Sequence, residues 1–284
     1  MADDPRAISI PIPGGRIEAL LLPGGPGRPL LLLGGVETGL RPLAGSEQAH
    51  VRRWSGRTAR RPVVVMGRPL PDDPADAARM LHPRAAAEEV ARGLRALRAA
   101  APPYAVEAES GGGRISLWLT VDHPDLVSRL VLSSAASETP SDSAMTARMA
   151  GWLDLAERGS WGEFFAQLAA QLRPAGSAPT QIPAAGGAFQ PRPSTPERFI
   201  GELRATLDPT SFVTDRLGEI AVPTLVLAGG RDHVVPVAST RLVADRIAGA
   251  RLEVDPDSGH TVRTSFGGYD DLVEAFLAEG DPPG

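Results

Sequence analysis

Tyr104-Ala-Val-Glu-Ala-Glu-Ser110-Gly-Gly-Gly-Arg114 reads as a short strand running directly into a helix, with a serine at the join. Ala108 and Gly112 flank Ser110 at the small-x-Ser-x-small spacing of a nucleophile elbow. Small neighbours let the backbone take strained angles there and hold the hydroxyl out of the sheet. A plain glycine loop gives the same pattern in a chain rich in Ala and Gly, so the flanking sequence has to discriminate between the two.

Upstream, Ala7–Pro13 and Arg16–Leu22 fit two short strands around Pro-Gly-Gly, a hairpin signal. Pro29–Leu33 and Pro62–Met66 are continuous apolar runs that end at Gly34-Gly35 and Gly67, as expected for strands buried on both faces. Gly45–Arg57 fits a helix between them. Ala85–Ala100 sets Val90, Leu94 and Leu97 on one stripe until Pro102-Pro103 stops it. Downstream come a helix over Gly112–His123, carrying Ile115, Trp118 and Leu119, and a strand over Arg129–Ser133. The alternation then breaks. Helical patterns over Ala144–Ala156, Gly162–Leu172 and Glu197–Leu207 follow, with a Pro/Gly/Ala/Ser-rich stretch from Pro174 to Pro196 that reads as a long loop, a lid or a disordered segment. Strand Pro223–Ala228, helix Val237–Ala248, strand Arg251–Val254 and helix Tyr269–Ala278 resume it. Repeated βαβ units imply an α/β fold with a doubly wound, mostly parallel sheet. We expect a core of residues 1–137 and 216–284 and a helical insert over 138–215.

Composition narrows the function. The 284 residues suffice for one sizeable core. A net charge of −5 argues against a nucleic-acid partner. All basic residues are Arg, and there is no basic cluster to suggest a phosphorylated substrate. Cysteine is absent, which removes thiolate nucleophiles and Cys-ligated metals. His50, His82, His123, His233 and His260 show no His-x-x-x-His pairing of the kind a helical zinc site uses. The start lacks the basic and apolar regions of a signal peptide, and no apolar run approaches a membrane span, so a cytoplasmic protein without a membrane partner is expected.

Two further residues give Ser110 chemical meaning. Asp232, in Leu227-Ala-Gly-Gly-Arg-Asp232-His-Val-Val-Pro236, directly follows an apolar strand and precedes a helix, where doubly wound sheets place chemistry. His260, in Asp257-Ser-Gly-His260, lies in the loop after the next strand. Taken singly, the aspartate is an ordinary helix cap and the histidine an ordinary loop residue. Together they supply what a serine needs: an imidazole to take its proton and a carboxylate to fix that imidazole.

In these residues the chain resembles the α/β-hydrolase superfamily. Gly229-Gly-Arg-Asp232-His-Val-Val-Pro236 is similar to the family's Gly-x-x-Asp-x-x-Val-Pro acid loop. His123-Pro-Asp-Leu-Val-Ser-Arg-Leu-Val-Leu132 is similar to the run after its elbow helix, and the insert sits where family members carry a cap. The resemblance implies Ser110, Asp232 and His260 as catalytic residues, with the backbone N–H groups of Gly111 and Val36 as an oxyanion hole. Two such donors contribute on the order of 3 kcal/mol each. Glu138, after the Arg129–Ser133 strand, is the alternative acid, and Asp255 and Asp257 read as turn residues shaping the histidine loop.

The chain departs from the family pattern at Gly34-Gly35, where His-Gly is common, at Ala108, where the elbow usually has glycine, and at Glu109, which precedes the nucleophile. Glu37 lies one residue beyond the proposed donor. Carboxylates there oppose developing negative charge, so each is expected to point outward or be salt-bridged. Met145, Met149, Trp152, Trp161, Phe164 and Phe165 of the insert either pack or line an apolar pocket. The expected activity is hydrolysis of an ester or thioester of a hydrophobic small molecule through an acyl-enzyme, which implies no metal or organic cofactor. Acyl transfer or cyclisation with the same three residues, or a hydrolase-like binding protein without turnover, are the alternatives.

Overall fold

A computed structural model describes residues 4–97, 102–139, 144–172 and 196–279, except for the side chain of Glu37. Eight strands form one sheet: β1 (Arg6–Ile12), β2 (Gly15–Leu22), β3 (Leu30–Leu33), β4 (Val63–Pro71), β5 (Tyr104–Glu109), β6 (Val127–Ser133), β7 (Thr224–Gly229) and β8 (Arg251–Asp255). Their spatial order is β1-β2-β4-β3-β5-β6-β7-β8. The first three in that order pair antiparallel, and every later neighbour is parallel. Crossovers therefore run outward in both directions from β3, which puts the carboxyl ends of β3, β5, β7 and β8 along one rim.

The apolar runs explain the layering. Leu31, Leu33, Val64 and Met66 face one core, while Leu30, Leu32, Val63 and Val65 face the other. The first core is closed by α1 (Pro83–Ala96), α2 (Gly111–Asp122) and, across the insert, α6 (Val237–Arg246). The second is closed by α7 (Tyr269–Ala278) and Trp54. Glu107 sits in the middle of β5 and is buried. Arg57 Nε at 2.9 Å and Tyr269 Oη at 3.1 Å donate to it, which compensates the charge a central strand would otherwise leave unpaired.

Between β6 and β7 lie α3 (Ala144–Glu157), α4 (Trp161–Leu172) and α5 (Pro196–Leu207). Their apolar faces meet a third cluster, in which Met145, Met149, Trp152, Phe164, Phe199 and Leu203 pack with Val234, Val235 and Leu40 from the sheet's loops. The expected long loop of 174–196 falls outside the described residues apart from Pro196. Strand β4 is longer than expected. It continues past Gly67 to Pro71 because β2 still pairs with it there, Gly15 opposite Pro71 and Ile17 opposite Pro69. β3 ends at Leu33, opposite Met66, so beyond that point β4 has a free edge where a proline costs no ladder bond.

Candidate active site

Ser110 has φ 50° and ψ −122°, a left-handed conformation that side chains seldom adopt. Such strain costs of order 1–3 kcal/mol and persists only where surroundings enforce it. Here they do. The Ser110 N–H donates to the Ser133 carbonyl at 2.9 Å, and its own carbonyl accepts from Gly113 N–H at 2.9 Å. A Cβ at Gly112 would lie 2.4 Å from the carbonyl oxygens of both Leu33 and Gly34. The turn is thereby pressed against the end of β3, and only glycine fits.

The three residues singled out for chemistry meet at the rim. His260 Nε2 is 3.0 Å from Ser110 Oγ, and His260 Nδ1 is 2.9 Å from Asp232 Oδ2 and 3.1 Å from Oδ1. Asp232 Oδ1 also accepts from the N–H groups of Val234 at 2.8 Å and Val235 at 2.9 Å. A carboxylate on Nδ1 fixes the proton there and turns the Nε2 lone pair towards the serine hydroxyl. Asp232 and His260 are buried and Ser110 is half-buried, so the chain of bonds opens to solvent at its serine end. Asp255 accepts from Ser258 Oγ at 2.7 Å and Asp257 N–H at 3.0 Å, which shapes the loop that carries His260. The Ser258 hydroxyl and that backbone bond hold the Asp255 carboxyl below its usual range.

Gly111 is the first residue of α2, and Val36 is the first of the helical turn Val36–Gly39. N–H groups in a helix's first turn have no intrahelical acceptor. Both residues line the space beside Ser110. Gly35 approaches the nucleophile closely enough that a Cβ on it would be 3.3 Å from Ser110 Cβ.

Glu109 is neither turned outward nor ion-paired among the described residues. It is half-buried, lines the main cavity and accepts from Thr38 Oγ1 at 3.2 Å. Arg53 and Arg263 line the same cavity. The Glu37 side chain lies outside the described residues. Glu138, the alternative acid, makes no contact with His260 among the described residues; its charge acts on buried Arg114, whose pKa burial lowers to about 10 against Glu138's opposing pull.

The main cavity, about 340 Å³, opens over Ser110 and His260. Met149, Trp152, Phe164, Leu168 and Phe199 form its apolar part. Met145 instead lines a smaller recess beside Gly111. Phe165 is not a lining residue. It lies one position from Phe164 and so projects about 100° round the helix, where it packs edge-on to Phe164 and Phe199. Trp161 joins the same aromatic group. Among the described residues no cluster of His, Cys, Asp or Glu could hold a metal, and no helix is long and apolar enough to cross a membrane.

Sequence reasoning missed one pair at the site. Arg68, in the second half of β4, donates from Nε and Nη2 to Glu202 Oε1 of α5, each at 3.1 Å, and from Nη2 to the Gly34 carbonyl at 2.9 Å. Both side chains are buried. They stand behind Gly111, where a Cβ would be 3.2 Å from Glu202 Oε1. Burial pushes the Glu202 carboxyl up, against the pull of Arg68 and Arg198. No local pattern could have signalled a pair 134 residues apart.

Residues 87–264 match a family model described as serine aminopeptidase, S33. That span contains Ser110, Asp232 and His260. Over 84 residues the chain is 37% identical to a 2-hydroxy-6-oxononadienedioate/2-hydroxy-6-oxononatrienedioate hydrolase of Klebsiella pneumoniae, and the match spans 29% of each chain. A hydrolase from Pseudomonas aeruginosa superposes with a TM-score of 0.71 at 21% identity, covering 98% of this chain and 100% of its own. An enol-lactonase from Burkholderia xenovorans superposes at 0.69 with 17% identity, covering 96% and 100%. Est816, an N-acyl homoserine lactone degrading enzyme, gives 0.69 at 24% identity, with 95% and 100% covered. At these identities the structural likeness concerns the fold.

Proposed function

Since the chain belongs to the serine aminopeptidase, S33, family of α/β-hydrolases, we propose that it is a serine hydrolase whose Ser110 attacks the carbonyl of a hydrophobic ester or thioester. The observation that carries this reading is the unbroken hydrogen-bonded path from Asp232 through His260 to Ser110. His260 Nε2 takes the serine proton as Oγ bonds to the carbonyl carbon. Asp232, pinned by two backbone amides, cannot swing away and stabilises the imidazolium that results. The carbonyl oxygen becomes an oxyanion facing the N–H groups of Gly111 and Val36. The bond to the leaving group then breaks as His260 returns the proton to it, and water, activated by the same imidazole, releases the acyl group.

The helices α3 to α5 act as a cap, and the apolar part of the 340 Å³ cavity supports a hydrophobic substrate. Thr38 Oγ1 donates to Glu109 and anchors its carboxylate on the turn Val36–Gly39. The Arg68–Glu202 pair holds the Gly34 carbonyl, and with it the loop that presents the Val36 N–H.

Labelling with a fluorophosphonate tests the proposal. Stoichiometric modification of the native protein and none of Ser110→Ala is the expected result. Equal silence of both proteins, with p-nitrophenyl esters left unhydrolysed, overturns it.

A further inference from the structure

A second cavity, of about 180 Å³, lies beside the turn Val36–Gly39 and shares no lining residue with the main one. Its charged walls are Arg16, Glu18, Arg41, Arg68 and Arg198, brought together from β2, the loop after β3, β4 and α5. Arg16, Arg41 and Arg198 line it together with the ion-paired Arg68 and with Glu18, in a protein whose net charge is negative. That carboxylate is already engaged, since Glu18 Oε2 accepts from Leu43 N–H at 3.0 Å. Glu202 engages Arg68 from outside the cavity.

Two of the arginines are buried with donors unused. Arg68 commits Nε and Nη2 to Glu202 and Gly34, whereas its Nη1, next to the lining residue Gly39, has no partner among the described residues. Arg198 donates from Nη1 to the Leu40 carbonyl at 3.4 Å, a long bond, and its Nε is likewise unpartnered. Burial pulls the pKa of Arg198 down to about 10 against the opposing pull of Glu202 and Glu18, and the like charges of Arg68 and Arg16 add smaller downward contributions. A buried donor without an acceptor costs about 1–3 kcal/mol, more when charged. Water filling the space would meet the N–H groups with neutral acceptors. An oxyanion would meet them with charge-assisted hydrogen bonds, roughly twice as strong, because guanidinium forks match its geometry.

We propose that this cavity binds a compact tetrahedral oxyanion, inorganic phosphate or the phosphate of a small phosphorylated molecule, through Arg68 Nη1 and Arg198 Nε, with exposed Arg16 and Arg41 at its mouth. The site is separate from the proposed chemistry and adjoins it through Arg68, whose other edge holds Gly34, and through Gly39 at the end of the turn Val36–Gly39. Its occupant is therefore a regulator or a stabiliser, not the molecule hydrolysed.

Calorimetric titration of the full chain with inorganic phosphate, at ionic strength matched with chloride, tests this. Saturable binding to one site is expected, and a phosphomonoester such as glycerol phosphate reveals whether a larger bearer also fits. Arg198→Met should weaken phosphate at least about tenfold. Arg16→Met, exposed and outside both the core and the proposed machinery, should weaken it several-fold while leaving fluorophosphonate labelling unchanged. If Arg198→Met fails to fold, Arg16→Met decides alone. No binding beyond that of chloride into the tens of millimolar, or undiminished affinity in the folded variants, overturns the site. These readouts do not depend on whether Ser110 is a nucleophile.

Discussion

Adding one methyl group at Gly112 should disable the site without touching any residue that takes part in the chemistry. The new Cβ would lie 2.4 Å from two carbonyl oxygens, those of Leu33 and Gly34, where ordinary contact begins at 3.4 Å. Both obstacles are backbone, so no flexible side chain can yield. Relief requires the elbow and the loop after β3 to separate by about 1 Å. Overpacking of this kind costs about 1–3 kcal/mol, or roughly 2–5 °C in Tm for a chain of this size. The same displacement pulls Gly111 N–H away from Val36 N–H, and a misplacement of about 1 Å can cost on the order of 10²-fold in rate. Thermal melts and the rate of fluorophosphonate labelling report the two effects separately. Gly151→Ala is the control. It lies on the exposed face of α3 with nothing within 4 Å of the new Cβ, and should stabilise by up to about 1 kcal/mol. A Gly112→Ala protein that melts and labels like the native one would refute the argument that the elbow is wedged against β3.

Asp232→Asn should lower turnover about 10⁴-fold with little change in Tm. Val234 and Val235 N–H hold Oδ1, so the new amide must present its NH2 to His260 Nδ1 and force the proton onto Nε2, facing the serine. Near-native turnover in that variant, measured with p-nitrophenyl esters, would move the acid role to Glu138. Glu202→Gln should change how stability varies with pH. The folded-state pKa of Glu202 is raised, so above the ordinary glutamate range the unfolded chain loses this proton first and stability falls as pH rises towards the folded pKa. The variant should lose that part of the slope, and identical profiles of Tm against pH for the two proteins would contradict the assignment.

Much of this was legible in the chain because the signals are local. Four consecutive leucines in β3, buried to alternate sides, cannot be placed except inside a sheet covered on both faces. Ser110 and its glycines announce a turn because strain and close approach restrict composition at that point. What escaped is either relational or directional. Nothing near Gly67-Arg68-Pro69 announces a strand, since its pairing partner is β2, some fifty residues earlier. Phe164 and Phe165 look equivalent in composition, yet only one of two adjacent helix positions can face a cavity. Arginines 16, 41, 68 and 198 show no cluster in the sequence, and only the folded chain gathers them. Glu109 defeats the simple rule that a carboxylate near an oxyanion must point away, because a threonine hydroxyl retains it.

The three helices over Ser110 are not fastened alike. Helix α5 is tied to the core by polar bonds along its length: Arg198 to the Leu40 carbonyl in the loop after β3, Glu202 to Arg68 of β4, and the Thr206 carbonyl to Arg114 Nη1 of α2 at 2.8 Å. Helices α3 and α4 meet their neighbours chiefly through apolar side chains. Evolution, or a designer choosing a library, therefore has unequal freedom across this roof. Methionine and aromatic positions on α3 and α4 can be exchanged for others of similar bulk to recruit new molecules, whereas a change at Arg198, Glu202 or Arg114 would unseat the beam from which the others hang.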